Sequence, residues 1–161
     1  MEVHGNRGVE RFQAQAEIPL DIGKLINMQR LVLANNMIHS LPSTIGSLRS
    51  LKILTLDENR MAILPDELGF LSRLERLSVS GNLLTCLPDT IGKLNNLPQN
   101  LLKCCQALQN LSLHGNVITM DQLQQMEGFE EFEQRRRKKF DKQINSNVLM
   151  NSKGLDEGLD L

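Results

Sequence analysis

From residue 18 onward, apolar residues recur at fixed places in a 23-residue frame. Ile18, Leu41, Leu64 and Leu87 stand 23 residues apart, and each is followed by a proline (Pro19, Pro42, Pro65, Pro88). Three residues after those prolines come Ile22, Ile45, Leu68 and Ile91, each with a glycine behind it. Leu25, Leu48, Leu71 and Leu94 close that half of the frame. The other half reads MQRLVLANNMI from Met28, LKILTLDENRM from Leu51, LERLSVSGNLL from Leu74 and LQNLSLHGNVI from Leu108. Its centre alternates apolar and polar positions for a few residues, the signature of a short strand with one buried face. The proline half suits a return path: Pro fixes φ, and Gly relieves crowding where neighbouring units approach. No unit can bury its leucines alone, so the units must stack.

Two defects interrupt the frame. One step of 23 residues before the Met28 unit brings Gly5, Gly8, Glu10 and Gln13 into the slots of Leu, Leu, Leu and Asn. No strand is therefore expected ahead of Ile18. Near the other end, Leu108 follows Leu97 by 11 residues instead of 23. LPQNLLKCCQAL matches a second return half, with Pro98 aligned to Pro88, Leu101 to Ile91 and Cys104 to Leu94. One strand is expected to be missing there, through deletion or a local distortion.

Each strand half ends on an asparagine: Asn36, Asn59, Asn82 and Asn116. Inside the turn, its amide can satisfy backbone groups that stacking removes from water. Losing such a partner costs about 1–3 kcal/mol. The L-x-x-L-x-L-x-x-N-x-L units and their L-P-x-x-I-G-x-L returns resemble the leucine-rich repeat family over residues 18 to about 123. The resemblance implies an α/β solenoid: an arc with short parallel strands on the concave face, an irregular or 3-10 convex side and a C-terminal capping helix. Residues 18–120 would be the repeats: a half unit, three full 23-residue units and an irregular unit at 97–120.

Beyond Ile118 the pattern changes. Thr119 and Gln122 fit a capping box, and Leu123, Met126, Phe129 and Phe132 recur every third residue. Glu130, Glu131 and Glu133 precede the basic run 135–139, the order a helix dipole prefers. Glu131–Arg135 and Glu133–Arg137 are candidate i, i+4 pairs, each worth about 0.2–0.5 kcal/mol. A charged amphipathic helix over 121–142 would cover the last leucine layer, with Gly128 a candidate kink. Residues 1–17 form a polar segment, with disorder one reading of it, and 143–161 read as a flexible tail. MDQLQQMEGFEEFEQRRRKKFDKQI is similar to the ending of plant proteins that join leucine-rich repeats to a ubiquitin-like domain. The 23-residue repeat is similar more widely to the intracellular Ras-group class. Those resemblances imply protein–protein interaction in intracellular signalling, in the cytoplasm or alternatively the nucleus. They also imply a truncated member, without the ubiquitin-like domain and the further upstream repeats.

Composition narrows the picture further. The 161 residues are one domain's worth, 40% hydrophobic and 23% charged, with a net charge of −1. That balance argues against nucleic acid as the default partner. With no Trp, no Tyr and five Phe, the core must be built of aliphatic layers. No stretch approaches the ~18 apolar residues of a membrane span. The first 17 residues lack the apolar region of a signal peptide, and neither end carries a lipidation motif. Three cysteines, two of them adjacent, make neither a disulfide framework nor a zinc site and suit a reducing compartment.

Candidate function follows from strand alternation. Residues between the leucines point away from the core: Arg30, Val32 and Ala34; Ile53, Thr55 and Asp57; Arg76, Ser78 and Ser80; Asn110, Ser112 and His114. Stacking at 23 residues places Arg30, Ile53 and Arg76 in one row and Val32, Thr55 and Ser78 in the next. Such a face suits a polar protein surface, although it lacks aromatic anchors. The expected partner is another protein, with no small-molecule substrate, cofactor, metal or catalytic residue and no membrane. Residues 135–139 could instead bind nucleic acid or another anionic surface, but the acidic preamble favours a solvated helix face. Cys104 is expected in the core, and His39 and His114 on the surface. No nucleophile elbow, P-loop, kinase or zinc-protease motif is present, so an enzyme is not expected. Three readings stand: a non-enzymatic adaptor binding through the concave face, a basic-helix binder, or a truncated fragment without a function of its own.

Overall fold

The computed structural model describes residues 9–11, 17–87, 101–145 and 159–160. Its centre is one parallel sheet of six short strands in chain order. These are β1 (Val9–Arg11), β2 (Arg30–Val32), β3 (Ile53–Thr55), β4 (Arg76–Ser78), β5 (Asn110–Ser112) and β6 (Leu159–Asp160). The middle residues of β2 to β5, namely Leu31, Leu54, Leu77 and Leu111, pair in register. Each is essentially fully buried, and so are Leu33, Leu56, Val79 and Leu113 two residues on. The alternation thus builds two continuous aliphatic layers down the solenoid, joined to the return-side residues in one hydrophobic cluster. This is the stacked α/β solenoid that the periodicity implies.

Three 3-10 helices run along the return side: Leu20–Lys24, Ser43–Ser47 and Asp66–Phe70. Each starts behind an extended proline whose carbonyl accepts from the N–H three residues on: Ile22 to Pro19 at 3.0 Å, Ile45 to Pro42 at 3.0 Å and Leu68 to Pro65 at 3.1 Å. Proline has no N–H to lose, and it gives the carbonyl that opens the turn. Gly46 is needed for proximity. A Cβ there would stand 2.9 Å from the Glu67 carbonyl oxygen of the next turn, inside contact distance.

The strand ends are tied together by asparagine. Asn59 Nδ2 donates to the carbonyls of Leu56 (2.8 Å) in its own unit and Leu33 (2.9 Å) in the unit before, while its Oδ1 accepts from the Ile38 N–H at 3.1 Å. Asn82 repeats this with Val79, Leu56 and Met61, and Asn116 with Leu113, Val79 and Leu84. Asn36 reaches Leu33 and Ala34. Asn36, Asn59 and Asn82 are all buried, which is tolerable only because their amides are saturated. The residue before each ladder asparagine turns left-handed: Asn35 (φ 57°), Glu58 (54°), Gly81 (61°) and Gly115 (69°). Glu58 carries a side chain in that region, at a cost of about 1 kcal/mol.

Four expectations need correction. A strand does precede Ile18: β1 pairs with β2, placing Glu10 opposite Leu31. Ladder hydrogen bonds belong to the backbone and do not require a leucine in the slot. At the irregular unit, β4 pairs directly with β5, in line with the missing strand, so Arg76 faces Asn110 across a 34-residue step, but the core slot shifts. The return there uses an α-helical turn, α1 (Leu101–Cys104), in which the Cys105 N–H bonds to the Leu101 carbonyl four residues back. The 3-10 turns close three residues back, so the final core slot moves by one. Cys105, rather than Cys104, fills it, fully buried. The alignment of Pro98 with Pro88 lies outside the described residues. The cap is two helices, α2 (Met120–Gln124) and α3 (Phe129–Asn145). Gly128 breaks between them at φ 86°, where a Cβ would also meet the Lys103 backbone. In the tail, Leu159 and Asp160 pair with Leu111 and Ser112.

Other expectations match the structure. Thr119 and Gln122 form the capping box, with Thr119 N–H to Gln122 Oε1 at 2.8 Å and Gln122 N–H to Thr119 Oγ1 at 3.3 Å. Leu123 and Phe132 are fully buried over the last layer, with Met126 and Phe129 packed beside them.

Asn59→Ala removes a two-sided link: the Ile38 N–H loses its acceptor, and the Leu33 and Leu56 carbonyls each keep only the donor of the neighbouring ladder asparagine. It should lower unfolding stability by about 1–3 kcal/mol, the cost of a buried group left unsatisfied, seen as an earlier urea midpoint. Cys105 donates its thiol to the Leu68 carbonyl at 3.2 Å, and burial pushes its pKa up to about 12. A thiol reagent at pH 8 should label the exposed Cys86 promptly and Cys105 only when the protein unfolds, as mass spectrometry of timed samples would read.

Candidate protein-binding face

The strands hold three parallel rows on the side away from the leucines. The first is Arg30, Ile53, Arg76 and Asn110; the second is Val32, Thr55, Ser78 and Ser112. The third is Ala34, Asp57, Ser80 and His114, set by continuing ladder bonds such as Asn35 N–H to the Asp57 carbonyl (2.8 Å) and Gly81 N–H to the His114 carbonyl (2.9 Å). Arg30, Arg76 and His114 are exposed, and Val32, Ala34, Ile53, Thr55, Asp57, Ser78 and Ser112 are half-buried. The sequence-derived rows are therefore brought together as expected.

Two of the residues offer little surface. Ser80 is 2% exposed and Asn110 is 5% exposed, so both form floor and not contact. Asp57 explains the first. Its Oδ1 accepts from Ser78 Oγ at 2.7 Å and from the Ser80 N–H at 2.8 Å, drawing β4 and its extension beneath it. One oxygen of that carboxylate is thus occupied within the sheet. Asn110 lies where α3 passes the last strands, and Lys139 Nζ donates to its Oδ1. Alternation alone assigns Asn110 to the open face; in the folded chain it is buried, with Lys139 of α3 lying against it.

The basic run is built into the cap. Arg135 donates through Nε to the Leu108 carbonyl at 3.2 Å and through Nη2 to the Leu102 carbonyl at 2.5 Å, instead of pairing with Glu131 along the helix. Its pKa is lowered, first by desolvation, as befits a cation half-buried against backbone. Glu133 holds Arg136 at 3.0 Å and Arg137 at 3.8 Å. Lys139 reaches over the sheet as described, which places an ammonium one strand beyond Arg76. Sequence reasoning missed this contribution to the face, because nothing in the order 135–139 reveals which side the helix presents to the repeats. His39 and His114 are both on the surface. Among the described residues, no group of three or more His, Cys, Asp or Glu could hold a metal ion. No described helix is long and apolar enough to cross a membrane.

A family model described as a leucine-rich repeat region matches residues 10–155. The chain belongs to the leucine-rich repeat family. This leucine-rich repeat protein is 75% identical over 63 residues to the plant intracellular Ras-group-related LRR protein 7 of Oryza sativa subsp. japonica, a stretch covering 39% of the chain and 24% of that protein. It is 44% identical over 64 residues to an LRR repeats and ubiquitin-like domain-containing protein of Arabidopsis thaliana, covering 40% and 17%. Rice Ras-group-related LRR protein 8 is 49% identical over 59 residues, covering 37% and 15%. The matched stretches thus span about a quarter or less of these curated relatives. Among solved structures, an LRR protein of Leptospira interrogans superposes with a TM-score of 0.62 at 29% identity, covering 73% of this chain and 27% of that one.

The two roles within the basic run separate by substitution. Arg135→Ala should destabilise the repeat protein by about 1.5–3 kcal/mol, the worth of charge-assisted hydrogen bonds. Lys138→Ala, on an exposed position, should leave the urea midpoint within error.

Proposed function

We propose that this chain is a non-enzymatic interaction module that binds another protein across its concave sheet, as an adaptor in intracellular signalling. The observation that carries this reading is the row Arg30, Ile53, Arg76. It presents two exposed guanidiniums that make no ion pair or hydrogen bond among the described residues, set about a half-buried apolar side chain. Cations without a partner among the described residues, set over a regularly spaced sheet, suit an interface, because the scaffold loses little freedom on binding. Arg is also the charged residue most favoured at binding hot spots. The face is an open sheet carried on repeats, the form that solenoids use for extended protein contacts. The relatives named as intracellular and Ras-group-related support the setting of the reading. Of the basic run, Arg135, Arg136, Arg137 and Lys139 all have protein partners, so a polyanion-binding helix has little free charge to work with.

In a plant cell extract, the immobilised chain should retain a protein that Arg30→Glu with Arg76→Glu no longer retains. Reversal of Lys24 and Arg73, exposed on the opposite return side, should leave capture intact. Circular dichroism should be unchanged in both variants. Capture that survives the concave reversal sinks the concave-face reading.

A further inference from the structure

We propose that the segment recognised by this face is acidic and extended, lies across the strands, and carries carboxylates three residues apart. The inference rests on the concave-face reading above and adds the chemistry of the ligand. Arg30 and Arg76 are two strands apart in exact register, with Ile53 on the strand between. Neighbouring strands sit about 4.8 Å apart, so the two arginine stems rise about 9.6 Å from each other along the sheet. A polyproline II segment advances about 3.1 Å per residue with three residues per turn, so positions i and i+3 share a face about 9.3 Å apart. The two periods agree to a few tenths of an ångström. A β-strand ligand returns to one face at about 6.7 or 13.4 Å. An α-helix does so after seven residues at about 10.5 Å.

The surroundings favour the same ligand. Ile53, half-buried between the arginines, offers an apolar seat for the residues between the two carboxylates. The adjacent row supplies the Thr55 hydroxyl as a donor, that of Ser78 being given to Asp57, and a polyproline II backbone has no internal hydrogen bonds and leaves its carbonyls free to accept. Charge sets the polarity. Lys139 adds an ammonium at the next strand of the arginine row, while Asp57 and Glu58 stand at the strand ends. Lys52 and Glu75, just before β3 and β4, pair with each other at 3.8 Å and leave the arginines as the dominant field. An acidic segment is thus drawn to the strand starts and kept from the strand ends.

The test uses the full chain and fluorescein-labelled peptides read by fluorescence anisotropy at 50 mM salt. A peptide of repeated Glu-Pro-Pro should bind with its carboxylates in phase with the arginines. Peptides of equal charge with glutamates two or four residues apart, and a helical peptide with glutamates seven apart, should bind at least fivefold more weakly. Arg30→Gln with Arg76→Gln, neutral and on exposed positions, should weaken the Glu-Pro-Pro peptide at least tenfold with an unchanged urea midpoint. Equal binding of all spacings, tightest binding of the helical peptide, or indifference to the arginine pair overturns the proposal. If extract capture depends on Arg30 and Arg76 but the Glu-Pro-Pro peptide neither binds nor competes, the ligand chemistry falls while the concave-face reading stands. If capture ignores the arginines as well, both fall.

Discussion

The buried asparagine ladder is the constraint on which this solenoid depends. Stacking aliphatic layers stabilises the chain through burial, but it also takes the turn at each strand end out of water. The carbonyls of Leu33, Leu56 and Val79 then need donors that the strands cannot supply. A single amide meets the need because it donates in two directions and accepts in a third. It binds its own turn, the turn behind and the chain leading away. An apolar residue in that slot would bury just as well and leave the backbone unsatisfied. The ladder also forces the preceding residue into left-handed geometry, tolerated by glycine in two units and borne by Glu58 in another.

Because the ladder fixes where each strand must stop, it fixes the open face too. Three-residue strands in exact register leave rows whose spacing is that of the sheet itself. The guanidiniums of Arg30 and Arg76 are consequently held over a rigid floor, one part of which is locked by Asp57 gripping Ser78 and Ser80. Each strand thus divides its side chains: leucines inward, the arginine and hydroxyl rows outward, and one carboxylate serving the scaffold from the outer side.

The C-terminal end solves a different problem. A solenoid exposes its last layer unless something polar on one side and apolar on the other covers it. Here Phe132 fills the layer while Arg135 satisfies carbonyls of the last repeat, Leu102 and Leu108, that no further unit is present to meet among the described residues. The same helix then carries Lys139 onto the face. Within a charge run that reads as solvated, Arg137 and Lys138 are exposed as expected while Arg135 caps the last repeat. Arg135 is taken by the backbone, Arg136 and Arg137 by Glu133, and Lys139 by Asn110 of the open face.

Repetition made much of this molecule legible from its residues. A position that returns every 23 residues must have the same environment each time, so Leu31, Leu54 and Leu77 declare the core, Asn59 and Asn82 the ladder, and Arg30, Ile53 and Arg76 a common row. Local patterns were equally direct, as in the capping box at Thr119. What the sequence could not determine lies where the repeat breaks. Whether the last return is a 3-10 or an α-helical turn moves the core slot from Cys104 to Cys105, and that choice depends on how α1 packs against its neighbours. The strand at Val9–Arg11 is held by backbone hydrogen bonds that leave no mark on side-chain pattern. The arrival of Lys139 at Asn110 depends on where α3 crosses the sheet. Periodicity fixes contacts between equivalent residues one unit apart; contacts between elements that do not repeat are set only by the packing of the folded chain.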